Sequence, residues 1–474
     1  MRLSLSVPRA VLAAFLLTLV SPASAAAARG LELGLTDSVY MAGDAATREV
    51  WLDRTVDARA GLVLLSVSWR SIAPDSSPPG FDPTDPADPA YDFAALDAAV
   101  RDAAARGLQV MILVTGAPDW AEGPNRPGTA EAPPGTWRPD PRQVGQFATA
   151  IASRYVGSFT DPDEVLVGPL PRVSRWQLWA EPNLSNYLTP QFEGHQPASP
   201  DHYRQMLNAF YGSVKGVSSD NFVLTGGTAP YGDPPGGRRM QPVTFWRELF
   251  CFKGKHLRGT KCPDPAQLDA ISHHPINVGS PRRKALSPDD ASTPDLGKIA
   301  RILHKAERRG RVLPKGEKSF WATEIWWDSN PPDPDGVPEA QHARWLAESL
   351  YLLWRQGVDT AIWFQIRDAA PEPSFGATPQ TGLFLQDGTP KLAYEAFRFP
   401  FVGDRTGKRK VRVWGKAPAP GPVWIQRSRG GEWHDLKQIE VPVSRVFQTS
   451  IALRGKAMLR ARTDSEASLA WLQK

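Results

Sequence analysis

The chain has 474 residues, 41% apolar and 22% charged, proportions that exclude wholesale disorder, a collagen-like repeat and a coiled coil. Its 46 Pro and 39 Gly are too many for a helical bundle and call for long irregular connections. The formal charge of +5 is unevenly spread: from Asp404 onward 15 Lys and Arg face 6 Asp and Glu, a net +9, while the first residues carry +2 and leave −6 for everything between.

At the start of the chain, Arg2 and Arg9 precede an apolar run from Ala10 to Val20, then Pro22 and the small-residue site Ala23-Ser24-Ala25. Eleven apolar residues fall short of the ~20 that span a bilayer, and no later stretch approaches that length. The pattern predicts a cleaved signal peptide over 1–25 and a secreted, extracellular protein with no membrane span.

Eight short apolar runs follow: Leu31–Leu35, Leu62–Ser68, Gln109–Val114, Trp176–Trp179, Phe222–Leu224, Leu268–Ser272, Phe320–Thr323 and Ala361–Phe364. Near-continuous Val, Ile and Leu predicts strands buried on both faces. Helical patterns lie between them, one from near Asp92 to Gly107, one opening at Ser199-Pro200, and one ending at Gly357. Eight strands alternating with helices predict a (β/α)8 barrel within 26–400. A doubly wound open sheet is the rival, but no G-x-G-x-x-G follows the first strand, and no cofactor is expected.

The Pro-rich segments fall after predicted strands, where the loops of a barrel build the rim of a site. Asp82, Asp85 and Asp88 recur every third residue; interleaved Pro makes an extended linker the expectation over a calcium loop. Cys251 and Cys262, eleven positions apart in an exported chain, predict a disulfide. His256 alone does not complete a metal set, and no metal site is expected. From 401 to 474 the pattern becomes strand-like alternation broken by turns, predicting a small all-β, sandwich-like C-terminal domain. Its +9 admits two readings: packing against the barrel, or binding an anionic polysaccharide or cell surface. Nucleic acid is not expected, because no binding motif accompanies the charge.

The fourth run leads into WAEPN with Glu181, and the seventh into TEIWW with Glu324. Two carboxylates at the C-terminal ends of two barrel strands, each among Trp, form the pair that cleavage of a glycosidic bond requires: one protonated to assist the leaving oxygen, one ionised to attack the anomeric carbon. The competing reading of either alone is a helix-capping or Arg-paired Glu. Of 17 Trp, eight (Trp69, Trp120, Trp176, Trp179, Trp321, Trp326, Trp327 and Trp363) lie in or just beyond predicted strands. Indole faces stack on sugar rings, and Trp363, Trp327 and then Trp120 are the candidates for substrate stacking, against a core role for about half the set. Arg70, after the second strand, is a candidate to pair with Glu324, or else a surface Arg. Asn183 positions Glu181, contacts substrate, or serves turn chemistry alone.

WAEPNL resembles the fourth-strand Asn-Glu-Pro signature of clan A retaining glycoside hydrolases, and TEIWW their seventh-strand nucleophile segment. The surrounding phrases DAISHHP, GVDTAIWFQIRD and GLFLQDGTPKLAYEAF are similar to those of family 39 and family 5. The resemblance implies that Glu181 is the general acid/base and Glu324 the nucleophile, that Trp363 floors the cleavage subsite, and that His274 bonds the sugar or Glu324. Two positions depart from the pattern. Ala180 stands where an Asn binds the hydroxyl beside the anomeric carbon, and Ile276 follows His274-Pro275 where a Tyr is usual. The expected function is therefore a secreted retaining glycosidase acting on a polysaccharide or oligosaccharide. The alternatives are a weakened barrel that binds carbohydrate without turnover, or a transglycosylase sharing the covalent intermediate.

Overall fold

The computed structural model describes residues 29–474, so the predicted leader over 1–25 lies outside the described residues. All eight apolar runs are strands: β1 (Glu32–Thr36), β2 (Leu62–Ser68), β3 (Gln109–Thr115), β4 (Arg175–Leu178), β5 (Phe222–Thr225), β6 (Ala270–His273), β7 (Ser319–Ile325) and β8 (Thr360–Phe364). Each pairs in parallel with the next and β8 closes on β1. The expected barrel is observed and the open sheet is not.

The strands read as unbroken apolar runs because both faces are buried. Inward-pointing Leu62, Leu64, Met111, Leu113, Leu224, Ala270, Trp321 and Ile362 fill the barrel interior as one cluster, while Val63, Leu65, Ile112 and Trp363 point outward to the helices. Truncating one interior Leu to Ala would cost about 2–5 kcal/mol, since rigid strands leave the cavity unfilled.

Helices α1 (Ala45–Asp57), α2 (Ala94–Ala105), α3 (Pro141–Arg154), α4 (Ser199–Val217), α5 (Pro242–Leu249), α6 (Gly297–Arg308), α7 (Glu339–Arg355) and α8 (Leu392–Arg398) alternate with the strands. Asp44 and Asp140 each accept two backbone N–H groups at the starts of α1 and α3, and Pro141 supplies the preset first residue of α3. Ser199 is not the cap of α4 that the Ser-Pro pair suggests. It is the first helical residue, and its hydroxyl donates instead to Gln191 Oε1 at 3.0 Å.

Seven antiparallel strands follow: β9 (Phe401–Gly407), β10 (Lys410–Lys416), β11 (Gly421–Arg429), β12 (Glu432–Val441), β13 (Val446–Ala452), β14 (Ala457–Arg462) and β15 (Trp471–Gln473). They form a three-stranded sheet, β9-β10-β13, and a four-stranded one, β12-β11-β14-β15. Trp414 of the first sheet packs on Tyr351 and Trp354 of α7, with ring centroids 5.6 and 5.9 Å away. Cys251 and Cys262 are disulfide-bonded, as their spacing predicts. Asp82, Asp85 and Asp88 each accept the backbone N–H two residues on, so their carboxylates cap their own turns. No described helix is long and apolar enough to cross a membrane.

Candidate active site

Glu181 is delivered by a strained exit from β4. Trp179 and Glu181 adopt φ of +68° and +35°, left-handed conformations that cost on the order of 1–3 kcal/mol each outside glycine. Neighbouring strands hold them there: Trp179 N–H donates to Val114 O at 2.7 Å, Glu181 N–H to Gly227 O at 3.0 Å, and the Trp179 indole to Tyr187 O at 2.6 Å. The chain after β5 must come very close for this. A Cβ on Gly226 would lie 2.5 Å from Trp179 O, and one on Gly227 would lie 2.1 Å from His274 Nε2, so only glycine fits at either position.

Glu324 reaches the same mouth through a bulge in β7. Ala322 lies opposite Ala361 but Ile325 opposite Trp363, so β7 carries one residue more than β8 across this stretch. Thr323 faces inward, where it bonds Gln177 and Ser272, and Ile325 faces the helices. Glu324 is the extra residue between them, and the bulge turns its carboxylate into the barrel mouth. Trp326 also faces in; its indole N–H donates to Glu324 Oε1 at 2.8 Å, and its ring lies 6.4 Å from that of Phe364, the last residue of β8.

His274 links the two carboxylates. Its Nδ1 lies 2.9 Å from Glu181 Oε1 and 3.6 Å from Glu324 Oε2. Because both distances run to one nitrogen, those two oxygens are at most their sum, about 6.5 Å, apart. Burial opposes a charged imidazole, but the facing charges of Glu324 and Glu181 outweigh it and raise the His274 pKa above the ordinary histidine range. Glu324 is raised above the usual carboxylate range, first by burial and then by the charge of Glu181, while His274 and the Trp326 N–H restrain the rise. His273 points the other way, as strand alternation predicts: it bonds Thr228 Oγ1 and Ala291 O, each at 2.8 Å, and burial pushes its pKa down to about 3.

Several expected contacts are not made. Arg70 pairs with Asp119, not Glu324. Trp363 is 1% exposed; it sits on the outward face of β8 with its indole N–H on Thr381 O at 2.8 Å, and Phe364, one residue on, faces the mouth instead. Trp327 is likewise turned outward, with its N–H on Gly279 O and its ring against Trp345 and Trp363. Trp120 is half-buried: its N–H donates to Pro74 O, and its ring meets Trp69 and Phe81 edge-on. Asn183 is fully buried and bonds Ala229 N–H, Ala229 O and Met240 O. It lashes the Glu181 turn to the loop after β5 and has no path to a substrate.

Tyr187, six residues beyond Glu181 on an irregular loop, was not singled out by the sequence. Its carbonyl accepts the Trp179 indole N–H, its side chain is exposed, and burial and then the charges of Glu181 and Glu324 push its hydroxyl up to about 12. Trp326 and Phe364 also went unselected, although strand alternation counted from Thr323 and Ile362 would have found Phe364.

No protein-family model matches the sequence, and no curated protein matches it. Solved structures do. A family 39 glycoside hydrolase from the gut symbiont Bacteroides cellulosilyticus WH2 is 16% identical, with a TM-score of 0.54 over 90% of this chain and 81% of that one. A glucosidase from Croceicoccus marinus is 17% identical, with a TM-score of 0.49 over 90% and 94%. At this identity the first likeness establishes the fold, a (β/α)8 barrel followed by antiparallel β-sheets.

Proposed function

We propose that the protein is a retaining glycoside hydrolase that cleaves O-glycosidic bonds of a polysaccharide or oligosaccharide by double displacement. The observation that carries this reading is the pair Glu181 and Glu324, whose facing oxygens lie within about 6.5 Å across one His274 nitrogen. That bound falls at the lower edge of the roughly 6.5–9.5 Å used for inversion and admits the ~5–5.5 Å of retention.

Glu324 is the nucleophile. Trp326 occupies its Oε1, leaving Oε2 to attack the anomeric carbon and form the glycosyl-enzyme ester. Glu181 is the acid/base: it gives its proton to the departing glycosidic oxygen, then takes one from the water that cleaves the ester. The first step needs Glu324 ionised; burial opposes this, and His274 and the Trp326 N–H favour it. Phe364 and Trp326 provide the aromatic wall expected of Trp363 and Trp327. The protein is exported, and its basic C-terminal domain meets an anionic polysaccharide or cell surface.

The test is a glycan panel with product analysis. Turnover with retention at the anomeric carbon is expected, and Glu324→Ala should lose on the order of 10⁴-fold or more. Ala180, which cannot donate to a sugar hydroxyl, favours the second reading of binding without turnover. Binding across the panel with no cleavage would establish that reading, and products longer than the substrate would identify a transglycosylase.

A further inference from the structure

The sheet β9-β10-β13 docks the C-terminal domain on the barrel through Trp414, and Asp404 of β9 adds an ion pair to Arg282. The other sheet turns Val423, Ile425, Leu459 and Ala461 into the core. Its opposite face carries Trp424 and Gln426 from β11, Trp433 and Asp435 from β12, and Arg460 and Arg462 from β14. Register places Trp424 beside Arg462, and Gln426 between Arg460 and Asp435.

These side chains interlock. The Arg462 guanidinium lies 4.4 Å from the Trp424 ring centroid and the Arg460 guanidinium 4.2 Å from that of Trp433. Arg460 Nε donates to Gln426 Oε1 at 2.8 Å, and Gln426 Nε2 donates to Asp435 Oδ1 at 2.7 Å. Asp435 thus engages the glutamine, and Glu440 is the other acid on this face. Among the described residues neither arginine has an ion-pair partner. An indole beneath each guanidinium fixes its plane and absorbs much of the ordering entropy before any ligand arrives. Arg462 Nη1 also donates to Thr463 O at 3.1 Å, and the remaining outer N–H groups of each guanidinium stay available to bind oxyanions in a forked, two-bond geometry.

Arg460 and Arg462 are two residues apart on one strand, so their Cα atoms are spaced by about 6.5–7 Å. Fixed cations in a row, on the end of the molecule that holds the net +9, match a linear polymer bearing repeated anionic groups. We propose that this face of the four-stranded sheet binds an acidic polysaccharide through its carboxylate or sulfate groups, with Arg460 and Arg462 as the paired forks. The choice of a glycan among polyanions rests on the glycosidase reading above; the paired forks do not. The face lies outside the barrel mouth, so the glycan it holds anchors the enzyme and need not be the one it cuts.

The experiment measures affinity of the full chain for polygalacturonate, dextran sulfate and neutral dextran. Binding to at least one acidic polymer and not to neutral dextran is expected, weakening as salt rises to about 0.5 M. Arg460→Gln with Arg462→Gln should bind at least tenfold more weakly at unchanged Tm. The Lys pair, which keeps the charge but not the stacked fork, should fall between. Glu324→Ala should bind like the unaltered chain, so a failed hydrolase reading and a failed binding face give different results. Carboxylate-only polygalacturonate and sulfate-only dextran sulfate identify which anion is recognised. Undiminished binding by the Gln pair, equal binding by the Lys pair, or equally tight binding to duplex DNA or anionic lipid vesicles would overturn the proposal.

Discussion

At the N-terminal end of the barrel, Glu32 meets Arg175 at 2.8 Å and Asp359 meets Arg29 at 2.6 Å. At the C-terminal end, Glu181 and Glu324 face each other with His274 as their sole ion-pair partner among the described residues. The same eight strands build both ends. A cavity of about 560 Å³ opens at the N-terminal end, lined in part by Glu32, Trp321, Asp359 and Lys416, yet its acids are already neutralised. Carboxylates left facing each other, and not the volume beside them, mark the end where protons can be exchanged.

The largest effect should come from removing the proposed acid at the C-terminal end. Glu181→Gln is expected to lower kcat about 10²–10⁴-fold on a natural glycoside. On an aryl glycoside whose leaving group needs no proton, the first step should be nearly restored and the ester should accumulate as a burst of product. Equal losses on both substrates would exchange the roles of Glu181 and Glu324.

Next in size is His274→Asn. Its imidazolium lowers the pKa of Glu324, so losing it should move the acidic limb of the kcat/KM profile upward by on the order of one pH unit. Stability should respond as well. A histidine whose folded pKa is raised contributes stability that is fully present below its unfolded value near 6.5 and is lost as pH rises through the folded value. The variant should therefore lose more Tm, relative to the unaltered chain, at pH 5.5 than at pH 8. A profile and a Tm difference that ignore pH would show that His274 only fills space.

The barrel and its candidate site were readable because burial on both faces leaves an unmistakable run of apolar residues, and because Glu181 and Glu324 sit where such runs stop. The aromatic wall was read only in part: Phe364 follows from alternation in β8 and was passed over, while Trp326 was hidden by the bulge. One extra residue in β7 reverses the parity beyond Thr323, so Trp326 faces inward and Trp327 outward. No residue type announces a bulge. Tyr187 was hidden differently: it lies on a loop without periodicity, and the charges of Glu181 and Glu324 that act on it come from other parts of the fold. Arg70 was misread because Asp119, its partner, is brought close by the neighbouring βα loop. A paired comparison tests this parity. Trp326→Phe should remove the N–H held on Glu324 and lower kcat about tenfold, in keeping with a lost hydrogen bond of about 1.5 kcal/mol to a charged group. Trp363→Phe should cost about 1 kcal/mol of stability through the lost bond to Thr381 and leave KM unchanged.

The smallest effect is expected at the paired end, and it is the sharpest check on the contrast between the two. Arg175 contacts Glu32 and lies over Trp321 at 5.4 Å, while Thr360 also donates to Glu32 Oε2. Fully buried pairs lose about 3–5 kcal/mol when one partner is removed. Here the side chains are 24% and 30% exposed, so water and Thr360 can carry part of the stranded carboxylate, and Arg175→Met should cost about 1–2 kcal/mol of stability by denaturant unfolding. Met preserves the apolar stem against Trp321. With the proposed catalytic groups at the other end of the barrel, kcat and its pH profile should stay unchanged. A shifted profile in Arg175→Met would mean that the charge at this end helps set the protonation of Glu324, and that the two ends are electrostatically joined through the barrel interior.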